Sequence, residues 1–197
     1  MRNIALWIIV FTTLQSPAWA SYSTSFKLIS GVFQYSSDEL SGNSITMGSP
    51  SFGFLKSLNE KHQLGGSLEV FFSTTSQSVS LYGFGFVYQY SLIGQGASTA
   101  TESPDVNIST TTKWNLYLLS TFKRYSYFLG SNKSDETRFD QTGDFFNFDF
   151  GTGASYDIGN RLRATAEINT TLFSFASSDN RIKIKSMLVT FGIQKEF

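Results

Sequence analysis

The end of the chain alternates with a period of two. The odd positions read Met187, Val189, Phe191, Ile193, Lys195 and Phe197. The even positions read Ser186, Leu188, Thr190, Gly192, Gln194 and Glu196. One face is apolar and the other small or polar, which predicts a strand and not a helix. The apolar stripe matches a tilted membrane strand of about 9–11 residues. Just upstream, Leu162, Ala164, Ala166, Ile168 and Leu172 oppose Arg163, Thr165, Glu167 and Asn169. Before that, Phe146, Phe148, Phe150, Ala154, Tyr156 and Ile158 oppose Asn147, Asp149, Gly151, Gly153, Ser155 and Asp157. Segments 113–129, 78–92 and 63–72 alternate in the same way. Segments 26–35 and 45–56 alternate less cleanly, and Pro50 there marks a bulge or a local break in pairing. The pattern therefore predicts eight strands.

The links fall into two classes. Residues 36–43, 74–77, 131–143 and 174–180 read as outer loops. Residues 57–61 and the pair Gly159-Asn160 read as tight turns on the opposite side. Segment 93–112 is the misfit. It is a long Ser/Thr-rich connection on the side where turns are usually short, which implies either an insertion or a miscounted strand.

Residue type decides which face points inward. The apolar faces are crowded with Phe and Tyr, and the opposite faces carry Gly, Ser, Thr, Asn and charges. A soluble barrel would have to pack the aromatics inside, where eight such faces overfill a narrow interior. A membrane barrel turns them to lipid and keeps the small and charged residues within. The predicted fold is an all-β, closed, antiparallel up-and-down transmembrane barrel of about eight strands. In this register Glu69, Asp149, Arg163 and Glu167 point inward, with Lys27 and Lys123. Buried charges require partners, so the expectation is a lumen plugged by paired charges. With the N-terminus starting in the periplasm, Tyr88, Tyr90, Trp114, Tyr156 and Phe197 gather at the periplasmic rim, where an aromatic girdle belongs.

The N-terminus has a different character. Arg2 precedes an apolar run from Ile4 to Phe11, followed by Pro17 and the small-residue pattern Ala18-Trp19-Ala20. This is the plan of a secretory signal peptide over residues 1–20, with Ala18 and Ala20 at the cleavage site. The run ends too early to span a bilayer as a helix, which needs about 20 residues. Residues 21–197 then form one barrel domain.

Composition agrees. The 20 Phe and 9 Tyr coexist with a mean hydropathy near zero, as expected of alternating strands. The 15 basic and 15 acidic residues balance, so nucleic acid is not an expected partner. The absence of cysteine excludes a disulfide framework and thiolate metal sites.

The final segment, Thr190 to Phe197, resembles the C-terminal assembly signal of bacterial outer-membrane proteins at Thr190, Gly192, Ile193 and Phe197. It departs at Lys195, where an apolar residue is usual. The mature chain resembles the small eight-stranded barrels of the OmpA/OmpX-like class. That resemblance implies outer-membrane lipid and the barrel assembly machinery as partners, and the outer membrane of a Gram-negative bacterium as the location.

No catalytic set stands out. The sole histidine, His62, falls beside a turn with no candidate base or nucleophile near it. Barrel enzymes that modify lipid A resemble this chain in strand number, but they carry their histidine near the outer rim. Gly83-Phe84-Gly85 and Gly151-Thr152-Gly153 lie inside strand patterns and lack the third Gly and following helix of a phosphate loop. Asp135, Glu136, Asp140 and Asp144 match no calcium-loop spacing. No cofactor or metal is expected. The functional expectation is a non-enzymatic barrel with a structural or surface-interaction role and an unidentified surface partner. The alternative is a small barrel that binds or transports a solute or hydrophobic ligand.

Overall fold

A computed structural model describes residues 21–36, 43–73, 78–96, 99–103, 106–110, 112–130, 141–176 and 183–197. The predicted signal peptide and most of the predicted outer loops lie outside the described residues.

The described residues form ten strands: β1 (Tyr22–Ser36), β2 (Asn43–Ser57), β3 (His62–Ser73), β4 (Ser78–Ile93), β5 (Thr99–Ser103), β6 (Val106–Thr110), β7 (Trp114–Gly130), β8 (Gln141–Gly159), β9 (Leu162–Ala176) and β10 (Lys183–Glu196). Eight of them close a barrel in the order β1-β10-β9-β8-β7-β4-β3-β2. Closure is made by antiparallel pairing of the first and last strands, from Ser23↔Glu196 to Ser36↔Lys183. The N–H of Phe197 donates to the carbonyl of Tyr22 at 2.7 Å, extending that ladder to the last residue. Each strand of the barrel is thereby paired on both sides, the condition for placing sheet backbone in lipid.

The long connection resolves as an insertion. β5 and β6 pair only with each other, as a separate two-stranded sheet between β4 and β7. The predicted count of eight barrel strands therefore holds. The strands are longer than the alternation suggested, because β8 begins at Gln141 and β9 runs on to Ala176.

Pro50 breaks pairing without shifting register. The β2–β3 pairs Met47↔Ser73 and Gly48↔Phe72 resume at Ser51↔Glu69 in the same register. The backbone bond lost across the gap is replaced by a side chain: Val70 N–H donates to Ser49 Oγ at 3.0 Å, and that hydroxyl donates to the Pro50 carbonyl at 2.8 Å. A second irregularity shifts register between β8 and β9, so that Phe148 pairs with Phe173 while Asp149 pairs with Thr171. Leu172 and its neighbour Phe173 consequently both face outward, and the apolar parity of β9 changes there.

The turns at the other end are local in origin. Asn59 Oδ1 accepts from the N–H groups of Lys61 and His62, both at 2.9 Å. Asn160 and Arg161 have φ of 55° and 60°, the left-handed pair that a two-residue hairpin needs to match strand twist.

Candidate functional site

The inward positions stack in four layers. At the loop end lies an apolar plug of eleven buried residues, among them Phe33, Met47, Phe71, Tyr125, Phe145 and Leu188. Phe33 meets Phe71 edge-on at 5.0 Å, and Tyr125 stacks on Phe145 at 5.1 Å. This corrects the expectation that the aromatics face lipid and the lumen holds only small and charged groups. In the loop-end half of β1 and β2 the polarity of the two faces is inverted: Phe33, Ile45 and Met47 point inward while Gln34, Ser44 and Thr46 point outward.

Below the plug lies the charged layer, where three of the four predicted lumen acids and bases are paired. Lys123 Nζ lies 2.7 Å from Glu69 and 3.9 Å from Asp149. Tyr125 donates to Glu69 at 2.8 Å, and Thr171 donates to Asp149 at 2.8 Å. On the opposite side Glu167 accepts from Lys27 at 2.6 Å and from Tyr117 at 2.7 Å. Each carboxylate thus has a cation and a hydroxyl within reach, which offsets the cost of removing it from water. A cavity of about 30 Å³ remains between these groups, space on the scale of a water or two.

Leu55, Val87 and Leu119 form a third, apolar layer. The fourth lies at the turn end, where Arg163 sits. Where the sequence predicts a charged partner for Arg163, its Nη1 donates to the backbone carbonyl of Gln95 at 2.8 Å. Gln63 Nε2 donates to the Gly96 carbonyl at 2.8 Å, and Gly96 N–H donates to the Glu60 carbonyl at 2.8 Å. The segment leaving β4 is therefore tied to β3 on one side and to β9 on the other. In the barrel order, β7 and β8 separate β4 from β9, so these bonds span the mouth. Sequence reasoning missed this strap, because it joins residues 68 positions apart through a backbone carbonyl.

The glycine motifs are packing devices. Each of three inward tyrosines on β7 is paired with a glycine on a neighbouring strand: Tyr117 with Gly153, Tyr125 with Gly83, and Tyr127 with Gly143. A Cβ on Gly153 would come within 2.6 Å of the Tyr117 ring. The glycines of the two apparent phosphate-loop motifs thus line the lumen wall, where two of them leave room for aromatic rings.

The outer surface is the inverse of a soluble fold. Phe86, Trp114, Leu68 and Phe191 are all more than 60% exposed. At the turn end Trp114 meets Tyr156 at 4.7 Å and His62 meets Tyr90 at 4.9 Å. His62 Nδ1 lies 2.6 Å from the Tyr88 hydroxyl, so the histidine belongs to an aromatic girdle. Lys195 holds its ammonium 5.7 Å from the Phe197 ring centroid, at the end of the apolar stripe. Within the resembled assembly segment, Thr190 and Gly192 face the lumen while Ile193 and Phe197 face outward. A Cβ on Gly192 would strike the Lys27 stem at 2.6 Å, so this glycine also admits a lumen cation. Of the loop acids, Asp135, Glu136 and Asp140 lie outside the described residues. Asp144 pairs with Arg124 at 2.6 Å and accepts from Ser126 at 2.6 Å.

No family model matches the sequence, and no curated relative does. In structure the chain is similar to Neisserial surface protein A (NspA), with a TM-score of 0.61 at 15% identity, over 90% of this chain and 99% of that one. It is also similar to Ail, the attachment invasion locus protein of Yersinia pestis, with a TM-score of 0.51 at 10% identity, over 91% and 99% of the two chains. At such identities the likeness speaks for architecture, and with the closed ladder and apolar exterior it leads to one conclusion: this chain has the fold of the small eight-stranded outer-membrane β-barrels.

Proposed function

We propose that this outer-membrane barrel is a sealed, non-enzymatic scaffold that holds its outer loops at the cell surface. The observation carrying this reading is the filled lumen. An apolar plug at one end, a paired charged layer in the middle and a strap at the other end leave a cavity of only about 30 Å³ between the charges. A rigid, closed barrel can position variable loops without passing solutes. In this reading the turn end faces the periplasm, residues 1–20 direct export, and the Thr190–Phe197 strand is the segment the assembly machinery engages.

The transport or ligand-binding alternative requires a wider lumen. Cells carrying an epitope between residues 131 and 140 test the two together. The scaffold reading expects antibody labelling of intact cells, and small-solute uptake unchanged when the gene is removed. An unlabelled surface, or uptake that falls on removal, would contradict it.

A further inference from the structure

Residues 94–96, the strap across the turn-end mouth, lie against four barrel strands at once. The Gln95 and Gly96 carbonyls accept from Arg163 on β9 and Gln63 on β3. A Cβ on Gly96 would lie 2.9 Å from Ser91 Oγ on β4, and one on Gly94 would lie 3.1 Å from the Asn115 Cα on β7. Around this strap, buried polar atoms go without partners. Of the eleven such side-chain atoms among the described residues, seven belong to Gln63, Ser91, Gln95, Asn115, Arg163 and its inward neighbour Thr165. Apart from Gln95, these residues are no more than 5% exposed. Native interiors leave few polar groups unsatisfied, so a cluster of them marks a bound species. Two of the seven atoms can only donate: Arg163 Nη2 and both hydrogens of Asn115 Nδ2. Asn115, Ser155 and Thr165 share one hydrogen-bonded row across β7, β8 and β9, and Arg163 stands one inward position nearer the turns.

We infer that the space behind the strap holds one small monovalent inorganic anion of chloride size on Arg163 Nη2, with the Asn115 amide and the Thr165 hydroxyl turned to it directly or through water. Charge selects an anion. A buried guanidinium needs a counter-charge, and among the described residues Arg163 makes no ion pair. Two acids flank it without reaching it. Asp157, its register partner on β8, turns Oδ1 to the Gly159 N–H at 2.8 Å. Glu196 lies two residues beyond Gln194, its register partner on β10. These carboxylates limit the occupant to a single charge, because a divalent oxyanion would set two negative charges between them against one guanidinium. The narrow lumen of an eight-stranded barrel limits it to a small species. The anion would also hold the strap to β9 through Arg163, and with it the insertion that follows. The inference needs the barrel and its strap, and stands apart from the scaffold role proposed above.

The test uses bromide as an anomalous scatterer and chloride as a stabiliser, on the chain of residues 21–197 in nonionic detergent. Crystals grown in sodium bromide should show one anomalous peak in contact with Arg163 Nη2. In solution, the urea midpoint of the wild type should rise as chloride replaces gluconate at fixed ionic strength, as it must for any ligand of the folded state. Heat-modifiable gel migration confirms first that each variant is folded. Arg163→Gln should abolish the chloride dependence. Asn115→Asp, which keeps the shape and turns a donor into a carboxylate, should raise the half-saturating chloride by about tenfold or more, the equivalent of one charge-assisted hydrogen bond. Arg124→Ala, on the outer wall, should leave the dependence as it is in the wild type. Water alone at Arg163 in the bromide crystals would overturn the inference. So would a wild-type midpoint indifferent to chloride, or an undiminished chloride response in Arg163→Gln.

Discussion

Lys123 Nζ lies 2.7 Å from Glu69 Oε1 inside the barrel, with both side chains 4% exposed. Neither charge is exposed to bulk solvent. Removing one partner should therefore cost far more than an exposed ion pair is worth. Lys123→Met is expected to lower stability by about 3–5 kcal/mol, measured by urea unfolding in lipid vesicles. The double variant Glu69→Leu/Lys123→Met should be less destabilised than Lys123→Met alone, because it leaves no orphan at that pair. Equal losses in the two would mean that the pair is not coupled.

The tyrosine–glycine pairs predict a steric limit. Gly153→Ala places a methyl group against the Tyr117 ring, whose hydroxyl holds Glu167. The expected loss is about 1–3 kcal/mol, read as a lower urea midpoint. Tyr117→Phe in the same background should not restore stability, since the ring causes the clash. Recovery with Phe would assign the effect to the hydroxyl instead.

Ser49 does backbone duty opposite Val70. Ser49→Ala should leave the Val70 N–H unsatisfied, cost about 1–3 kcal/mol and accelerate amide exchange at Val70. Ser49→Thr, which keeps the hydroxyl, should change little. Unaltered exchange in the alanine variant would show that the bond is not needed.

Trp114 is the sole tryptophan of residues 21–197, so intrinsic emission reports one place on the girdle. In vesicles its emission should be blue-shifted and should be quenched most by lipids brominated near the headgroup. Bromines at the chain ends should quench less. Insensitivity to every brominated lipid would place Trp114 away from the membrane.

Sequence alone revealed whatever alternation can carry. The lipid faces of β4, β8, β9 and β10, and the inward setting of Glu69, Asp149, Arg163 and Glu167, follow from a two-residue period with unlike faces. Three features left no such trace. The plug is invisible because at the loop end of β1 and β2 the apolar Phe33, Ile45 and Met47 face inward and the polar Gln34, Ser44 and Thr46 face outward, the reverse of the rule that assigned the faces elsewhere. The outward flip at Phe173 follows from a bulge, and a bulge shifts parity without a distinctive residue. The link from Arg163 to Gln95 is tertiary, made to a carbonyl that any residue could supply. Pro50 was legible as a break, but its repair by Ser49 depends on which strand lies alongside.

The central claim is a transmembrane barrel whose lumen is closed, and planar-bilayer recording of the refolded mature chain tests it most directly. The account predicts that insertion leaves the bilayer without a stable open-channel conductance, in the wild type and equally when residues 131–140 are shortened. A large, long-lived conductance step from the wild-type chain would contradict it.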